Sequence, residues 1–199
     1  MGFDCTLHVV DEALIRYEFV PCLLGKKICT SPFDSRPDST EIWERVRNAL
    51  NNKLIIDDEI CSPKTTAKLV SQFAVVYCAS VLPYHYERRD CLSLCDYYKN
   101  ASEKYRGNPE ELFDELLAVY PELKGNIPQE IEENYCTGIY IPAANVPKFL
   151  KETKLDYGSF RGLWLILKYA EQKGLAYWEA TDLPLEMICP VFSYPINPK

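Results

Sequence analysis

The chain has 199 residues, of which 47% are hydrophobic and 26% are charged, a balance that is typical of a folded globular protein and excludes a disordered chain. No apolar run approaches the roughly 18 residues that a membrane-spanning helix requires, so we expect no membrane insertion. The first residues lack the basic and apolar segments of a secretory signal, and we therefore expect no cleaved signal of this kind.

The formal net charge of −7 arises in one stretch of the sequence, residues 108–134. This stretch contains eight acidic residues and one lysine, whereas acids and bases balance in the rest of the chain. A concentrated negative charge repels a phosphate backbone, so we expect no binding to nucleic acid. It attracts a basic partner, although a solvated helix face would have the same composition.

Nine cysteines are scattered along the chain rather than grouped at short spacings. Several lie within apolar periodic runs, where a thiol acts as a small hydrophobic side chain. Without a secretory signal, the reducing cytosol is the expected compartment, and thiols rather than disulfides are the expected state.

The first predicted element is a strand within residues 2–10, where apolar and polar side chains alternate and one face should be buried. A helix capped by Asp11 follows, and Pro21 is expected to end or kink this helix near Phe19. A second, amphipathic helix is predicted behind a capping pair formed by Asp38 and Glu41; its apolar residues lie within 42–50, and it should end near 51–52.

A long apolar helix is predicted in the middle of the chain. Ser62 and Pro63 are a strong helix start, and residues 66–82 are apolar on nearly all sides. A helix of this kind is buried on most sides, so we expect a central core helix at about 63–82, which Pro83 ends.

The C-terminal part of the sequence predicts strand, helix, helix and strand in turn. A β-branched and aromatic run favours a strand at about 134–141, and helices are expected from Val146 and from Phe160. Gly174 occupies the position of a left-handed helix cap, and a last strand is predicted at about 175–183.

This order of elements predicts an α+β fold. We expect a small mixed sheet of three to four strands, at about 2–10, 134–141 and 175–183, covered by a larger helical layer around the central helix. A single domain over residues 1–199 is predicted, in which residues 84–134 form a helical, tyrosine-rich and acidic lobe.

Catalytic candidates are few, since the chain has only two histidines. His8 lies on the polar face of the first strand and would act as a general base if a carboxylate oriented it. The carboxylates that could do so are Asp4, Glu179 and Asp182. The alternative is that His8 is a half-exposed strand residue with no catalytic role.

A metal site has one weak candidate set, formed by His85, Cys91 and Cys95. Two cysteines at i and i+4 share a helix face and would hold part of a tetrahedral site. A fourth ligand is missing, and the leucines between the cysteines favour core packing. We therefore expect neither a metal nor any other cofactor.

A surface for binding another protein is predicted directly after the central helix. Tyrosine and arginine are enriched in binding hot spots. The candidate binding residues are Tyr84, His85, Tyr86, Arg88 and Arg89, together with the acidic residues Glu110, Glu111 and Glu115.

The favoured function is therefore that of a cytosolic interaction domain, which binds a basic protein partner through an acidic, tyrosine-rich surface. Bacterial immunity-type inhibitors that block a nuclease or another toxin share this profile of small size, acidic charge and no catalytic motif. The alternative is a small hydrolase or transferase with a site centred on His8.

Overall fold

The computed structural model describes residues 5–28, 39–53, 55–56, 59–85, 102–127, 139–155, 157–158 and 161–181. The chain divides into two units. The sheet unit comprises Met1–Glu12, Ala79–Asn108 and Gln129–Lys199. The helical unit comprises Ala13–Cys78 and Pro109–Pro128, so the segment 84–134 is divided between the units.

The strands, in chain order, are β1 (Cys5–Val10), β2 (Ile55–Ile56), β3 (Glu59–Ile60), β4 (Ala79–His85), β5 (Tyr140–Ile141) and β6 (Ala176–Thr181). The α-helices are α1 (Glu12–Leu14), α2 (Val20–Leu23), α3 (Ser39–Leu50), α4 (Pro63–Cys78), α5 (Asp114–Val119), α6 (Val146–Thr153) and α7 (Arg161–Lys173). A π-helical turn occupies Ile15–Phe19, and 3-10 turns occupy Pro109–Phe113 and Pro121–Leu123.

The sheet unit contains a four-stranded sheet in the order β4-β1-β6-β5, and the predicted α+β class is confirmed. Every pairing among the described strands is antiparallel, whereas a mixed sheet was predicted. A single crossover helix would return the chain to a parallel strand. Between β5 and β6 there are two helices, α6 and α7, and the second one reverses the chain again.

Both faces of β1 are buried, although its sequence pattern predicts one buried face. Leu7 and Val9 point to one side of the sheet, and His8 and Val10 point to the other, yet none of the four is accessible to solvent by more than a trace. His8 lies opposite Trp178, which is also buried. The polar residue His8 therefore does not show that its face of the sheet is exposed to solvent.

The face of the sheet that carries Leu7 and Val9 is packed against α6 and α7. The residues of α7 that belong to this core recur at helical spacing, and those of α6 lie on one side of that helix. They are Val146, Phe149 and Leu150 in α6, and Leu163, Ile166, Leu167 and Ala170 in α7. The predicted cap of α7 is confirmed, since Gly174 has a φ of 66° in the left-handed region.

The central helix is shorter than the predicted helix at 63–82. Helix α4 ends at Cys78, and the next residues form β4, the edge strand that pairs with β1. Proline has no N–H to donate to a ladder and is tolerated in an edge strand, which accounts for Pro83 within β4. The register of β4 against β1 is irregular between Leu7 and Val9, as expected of a strand that contains a proline.

A short segment before the helical unit packs closely against β5. The Gly107 amide donates a hydrogen bond of 3.0 Å to the Tyr140 carbonyl, and Asn145 Nδ2 donates one of 3.1 Å to the Tyr105 carbonyl. A Cβ atom on Gly107 would lie 2.5 Å from Pro142 Cγ and 2.9 Å from Tyr140 Cε1. Only glycine allows this approach of the two segments.

The helix that follows β1 passes through a π-helical turn before Pro21. A regular helix would pair the Tyr17 carbonyl with the amide of residue 21, but a proline has no N–H. Lys27 Nζ donates a hydrogen bond of 2.7 Å to that carbonyl instead. The helix is therefore distorted, as predicted near Phe19, but its helical path continues to Leu23.

The core of the helical unit contains a cluster of four aromatic rings. Phe19 from the π-helical turn, Trp43 from α3, and Phe73 and Tyr77 from α4 lie with their ring centroids between 4.6 and 6.0 Å apart. Most of these pairs are edge-to-face or tilted, which aromatic rings prefer to a direct sandwich. This cluster joins three helical segments into one core.

Three cysteines in the described ranges are buried thiols, namely Cys22, Cys61 and Cys78. Each lies among apolar residues, in agreement with the role expected from the sequence. Within the same described ranges, no helix combines the length and apolar character needed to cross a membrane.

We expect Gly107→Ala to destabilise the sheet unit by about 1–3 kcal/mol, because the new methyl group overlaps Pro142 and Tyr140. Urea unfolding followed by the fluorescence of the buried tryptophans measures this loss. A variant with wild-type stability would show that the segment does not lie against β5 in this way.

Candidate functional site

The acidic segment of the helical unit has one buried side and one exposed side. Its buried apolar residues are Leu112, Phe113, Leu116 and Leu123. Its exposed acidic residues are Glu111, Asp114, Glu115 and Glu122, and we name this set the acidic stripe. Glu111 lies in the 3-10 turn Pro109–Phe113, and Asp114 and Glu115 begin α5, so three of these exposed carboxylates are carried by one short stretch of backbone.

Glu110 does not belong to the stripe, although the sequence selected it as a binding residue. Its side chain is buried, and its carboxylate accepts a hydrogen bond from the backbone amide of Gly125. A buried carboxylate that receives a backbone N–H stabilises the turn that provides it. Glu110 therefore holds the end of the acidic segment to its beginning.

Two lysines from the turn after α2 reach this part of the surface. Lys26 Nζ forms an ion pair with Glu115, and Lys27 Nζ lies 2.8 Å from the Glu18 carboxylate. All four side chains are about half exposed, so solvent screens both pairs. One of the four acids in the stripe is thus partly neutralised within the protein.

Asp114 and Glu122 were not predicted as members of this surface. Both were counted as acidic residues of the segment, but neither was selected for binding. The available signal was their place in the acidic stretch 108–134, which does not distinguish exposed from buried acids.

The tyrosine- and arginine-rich candidates belong to the sheet unit. Tyr84 and His85 end strand β4, where their backbones lie opposite Leu7 and Thr6. Tyr86, Arg88 and Arg89 lie outside the described residues. Their predicted role in binding stays a prediction.

The structure separates the two residues that were expected to form a catalytic site. Glu179 lies opposite Leu7 in the register of β1 and β6, whereas His8 lies opposite Trp178, so their side chains point to different faces of the sheet. Both side chains are fully buried. Asp4 and Asp182 lie outside the described residues. The alternative of an enzyme at His8 gains no support from this arrangement.

Glu179 has a structural partner in the apolar core of the sheet unit. The Tyr177 hydroxyl donates a hydrogen bond of 2.6 Å to the Glu179 carboxylate, and both residues are fully buried. They are two positions apart on β6 and therefore share a face of the strand. A buried carboxyl group is costly without a donor, so this bond contributes to the stability of the unit.

Metal coordination has no candidate among the residues that the structure describes, because no three of their histidine, cysteine, aspartate and glutamate side chains form a ligand group. Cys91 and Cys95 lie outside these residues. The weak prediction for His85, Cys91 and Cys95 therefore stays a prediction.

A second set of titratable groups lies at the surface of the sheet unit. Lys104 Nζ is 2.7 Å from the Glu152 carboxylate and 5.3 Å from the centre of the Tyr105 ring. The Tyr105 hydroxyl is buried, and no hydrogen bond to it is formed among the residues that the structure describes. Burial is the main cause that raises the pKa of Tyr105, and the neighbouring Glu152 carboxylate raises this pKa further.

The pKa values of Lys104 and Glu152 move in opposite directions. The hydrogen bond with Glu152 raises the pKa of Lys104, and the one with Lys104 lowers the pKa of Glu152. The stabilisation from the pair is lost as pH falls through the lowered pKa of Glu152, and also as pH rises through the raised pKa of Lys104. Because both side chains are exposed, solvent screening keeps this contribution small.

We expect Tyr177→Phe to lower the free energy of unfolding by about 1–3 kcal/mol, because the buried Glu179 carboxyl group loses its donor. Urea unfolding measures the change. Tyr169→Phe is the matched control, since it removes the same atom from a partly exposed tyrosine of the same unit. Equal losses in the two variants would contradict a specific role for the Tyr177 hydroxyl.

We expect Lys104→Met to raise the pKa of Glu152 towards its ordinary range, because the variant removes the main cause of the lowering. Titration of the Glu152 carboxyl group by NMR measures this pKa. Lys173→Met, at an exposed lysine at the end of α7 in the same unit, should leave it unchanged. An unchanged value in Lys104→Met would show that the ion pair does not persist in solution.

Comparisons with known proteins assign no family to the chain. No family model matches it, and no curated protein and no solved structure is significantly similar to it. Its function is therefore inferred from the acidic stripe and from the other described groups.

Proposed function

We propose that the protein is an interaction domain that binds a basic protein partner through the acidic stripe. The observation that carries this proposal is the exposure of Glu111, Asp114, Glu115 and Glu122 above a buried apolar side of the same segment. The packed side fixes the backbone that carries these carboxylates before a partner arrives. Such preorganisation lowers the entropy that binding costs.

The charges of the stripe suit a cationic surface for an electrostatic reason. Like charges concentrated in one short segment repel one another. Lysine and arginine side chains of a partner would relieve this repulsion. A local field of one sign also attracts the partner from solution, so its main effect is on the rate of association.

We propose the cytosol as the compartment, which the buried thiols Cys22, Cys61 and Cys78 support. An immunity-type inhibitor is one example of an acidic protein that captures a basic toxin. Identification of the captured protein would distinguish this role from other roles in which the protein binds a basic partner.

Neutralisation of the stripe should abolish capture of the partner. At low salt, the wild-type chain is expected to capture basic proteins from a lysate of native cells. We expect the triple variant Glu111→Gln, Asp114→Asn, Glu122→Gln not to capture them. Higher salt should release the same proteins from the wild-type chain, because screening weakens exposed charges. Quantitative mass spectrometry of the captured proteins measures both effects.

A matched control separates the stripe from net charge. Glu44, Glu59 and Glu103 are exposed acids elsewhere in the chain, and their replacement by glutamine changes the net charge by the same amount. This control variant should still capture the partner. Equal losses in the two triple variants, or capture that does not depend on salt, would contradict the proposed function.

A further inference from the structure

Exposed apolar side chains accompany the acidic stripe. Tyr17 is 65% exposed and Val119 is 52% exposed, and both belong to the helical unit. Val119 lies four residues after Glu115 on α5, so the two side chains are neighbours on the same side of that helix. The stripe therefore has an apolar residue at its edge.

The two lysines of the turn after α2 contact two segments of the helical unit. Lys26 reaches Glu115, and Lys27 reaches the backbone carbonyl of Tyr17. One turn therefore links the segment that carries Tyr17 to the helix that carries Glu115 and Val119. We name the exposed acidic and apolar residues of these segments the docking surface: Tyr17, Glu111, Asp114, Glu115, Val119 and Glu122.

We infer that the occupant of the docking surface is a basic amphipathic segment of a partner protein, which presents cationic and apolar side chains together. This inference rests on the proposed function and adds the apolar part of the contact. Cationic side chains of the segment pair with the acidic stripe, and its apolar side chains cover Tyr17 and Val119. An amphipathic helix presents these two kinds of residue on adjacent faces.

Charge complementarity selects this occupant over a second copy of the chain. The protein has a net charge of −7, and its surplus acids lie in the segment that forms the stripe. Two copies that met through this surface would bring like charges together, which costs free energy. A nucleic acid is disfavoured for the same reason.

Lys26 competes with the cationic side chains of the partner for the Glu115 carboxylate. Its ion pair with Glu115 is exposed and therefore weak, so a cationic side chain of the partner replaces Lys26 at little cost. Lys27 has a different role. A regular helix would pair the Tyr17 carbonyl with the amide of residue 21, but Pro21 has no N–H, and Lys27 Nζ donates to this carbonyl instead. Removal of Lys26 should free the stripe, and removal of Lys27 would disturb the turn.

Two synthetic peptides with equal numbers of lysines test the inference. The first has leucines at helical spacing, and the second has serines in their place. Fluorescence anisotropy of the labelled peptides measures their affinities for the full chain and its variants. We expect the leucine peptide to bind the wild-type chain more tightly than the serine peptide.

Variants at exposed apolar positions separate the docking surface from general hydrophobicity. We expect Tyr17→Ser and Val119→Ser each to lower the affinity of the leucine peptide about fivefold and to leave the affinity of the serine peptide unchanged. Ile60→Ser is the control, since Ile60 is 63% exposed in the same unit but lies outside the docking surface. Equal effects of Tyr17→Ser and Ile60→Ser would overturn the inference.

Removal of one lysine tests the competition at Glu115. We expect Lys26→Met to raise the affinity of both peptides by about two- to fivefold, because the Glu115 carboxylate becomes available. Lys53→Met changes the net charge equally at an exposed lysine elsewhere in the unit and should have a smaller effect. Equal effects of the two variants would overturn the role of Lys26.

The same assay distinguishes failure of the inference from failure of the proposed function. One outcome is that the triple variant Glu111→Gln, Asp114→Asn, Glu122→Gln lowers the affinity of both peptides, whereas Tyr17→Ser and Val119→Ser lower the affinity of neither. The acidic stripe then binds cations without an apolar contact, and the inference is wrong. If that triple variant binds both peptides as tightly as the wild-type chain, the proposed function falls as well.

Discussion

The sheet unit depends on the burial of both faces of β1. Leu7 and His8 are consecutive residues that point in opposite directions, and neither meets solvent. Any polar side chain at such a position must find its hydrogen bonds inside the protein. Glu179 does so through Tyr177, and this bond gives the carboxyl group a structural role. Because His8 and Glu179 are buried, solvent does not reach either side chain.

Much of the fold follows from local sequence signals. Helices α6 and α7 and the left-handed conformation of Gly174 lie where apolar spacing, Pro147 and the glycine place them, because each signal acts within a few residues. The boundary between α4 and β4 does not follow. A continuous apolar run suits a buried helix and a buried strand equally well. The pairing of β4 with β1, about seventy residues earlier in the chain, settles the outcome.

The same distinction between local and distant contacts explains the acidic segment. The surplus charge is visible in the sequence, but adjacent glutamates in it have different roles. Glu110 turns inward to a backbone amide 15 residues later, and Glu111 faces solvent. Lys26 reaches Glu115 across 89 residues. Contacts at such separations leave no local pattern, so Glu110 was predicted for binding and Lys26 was not.

A proline links the core of the helical unit to its surface. Pro21 cannot provide the amide that the Tyr17 carbonyl would receive in a regular helix, and Lys27 supplies a donor from the following turn. The π-helical turn directly before Pro21 ends at Phe19, which enters the aromatic cluster, while Tyr17 two residues earlier faces solvent. The packing of Phe19 therefore restrains the backbone that carries Tyr17. An exposed tyrosine on a restrained backbone loses little entropy when a partner covers it, which favours its use in binding.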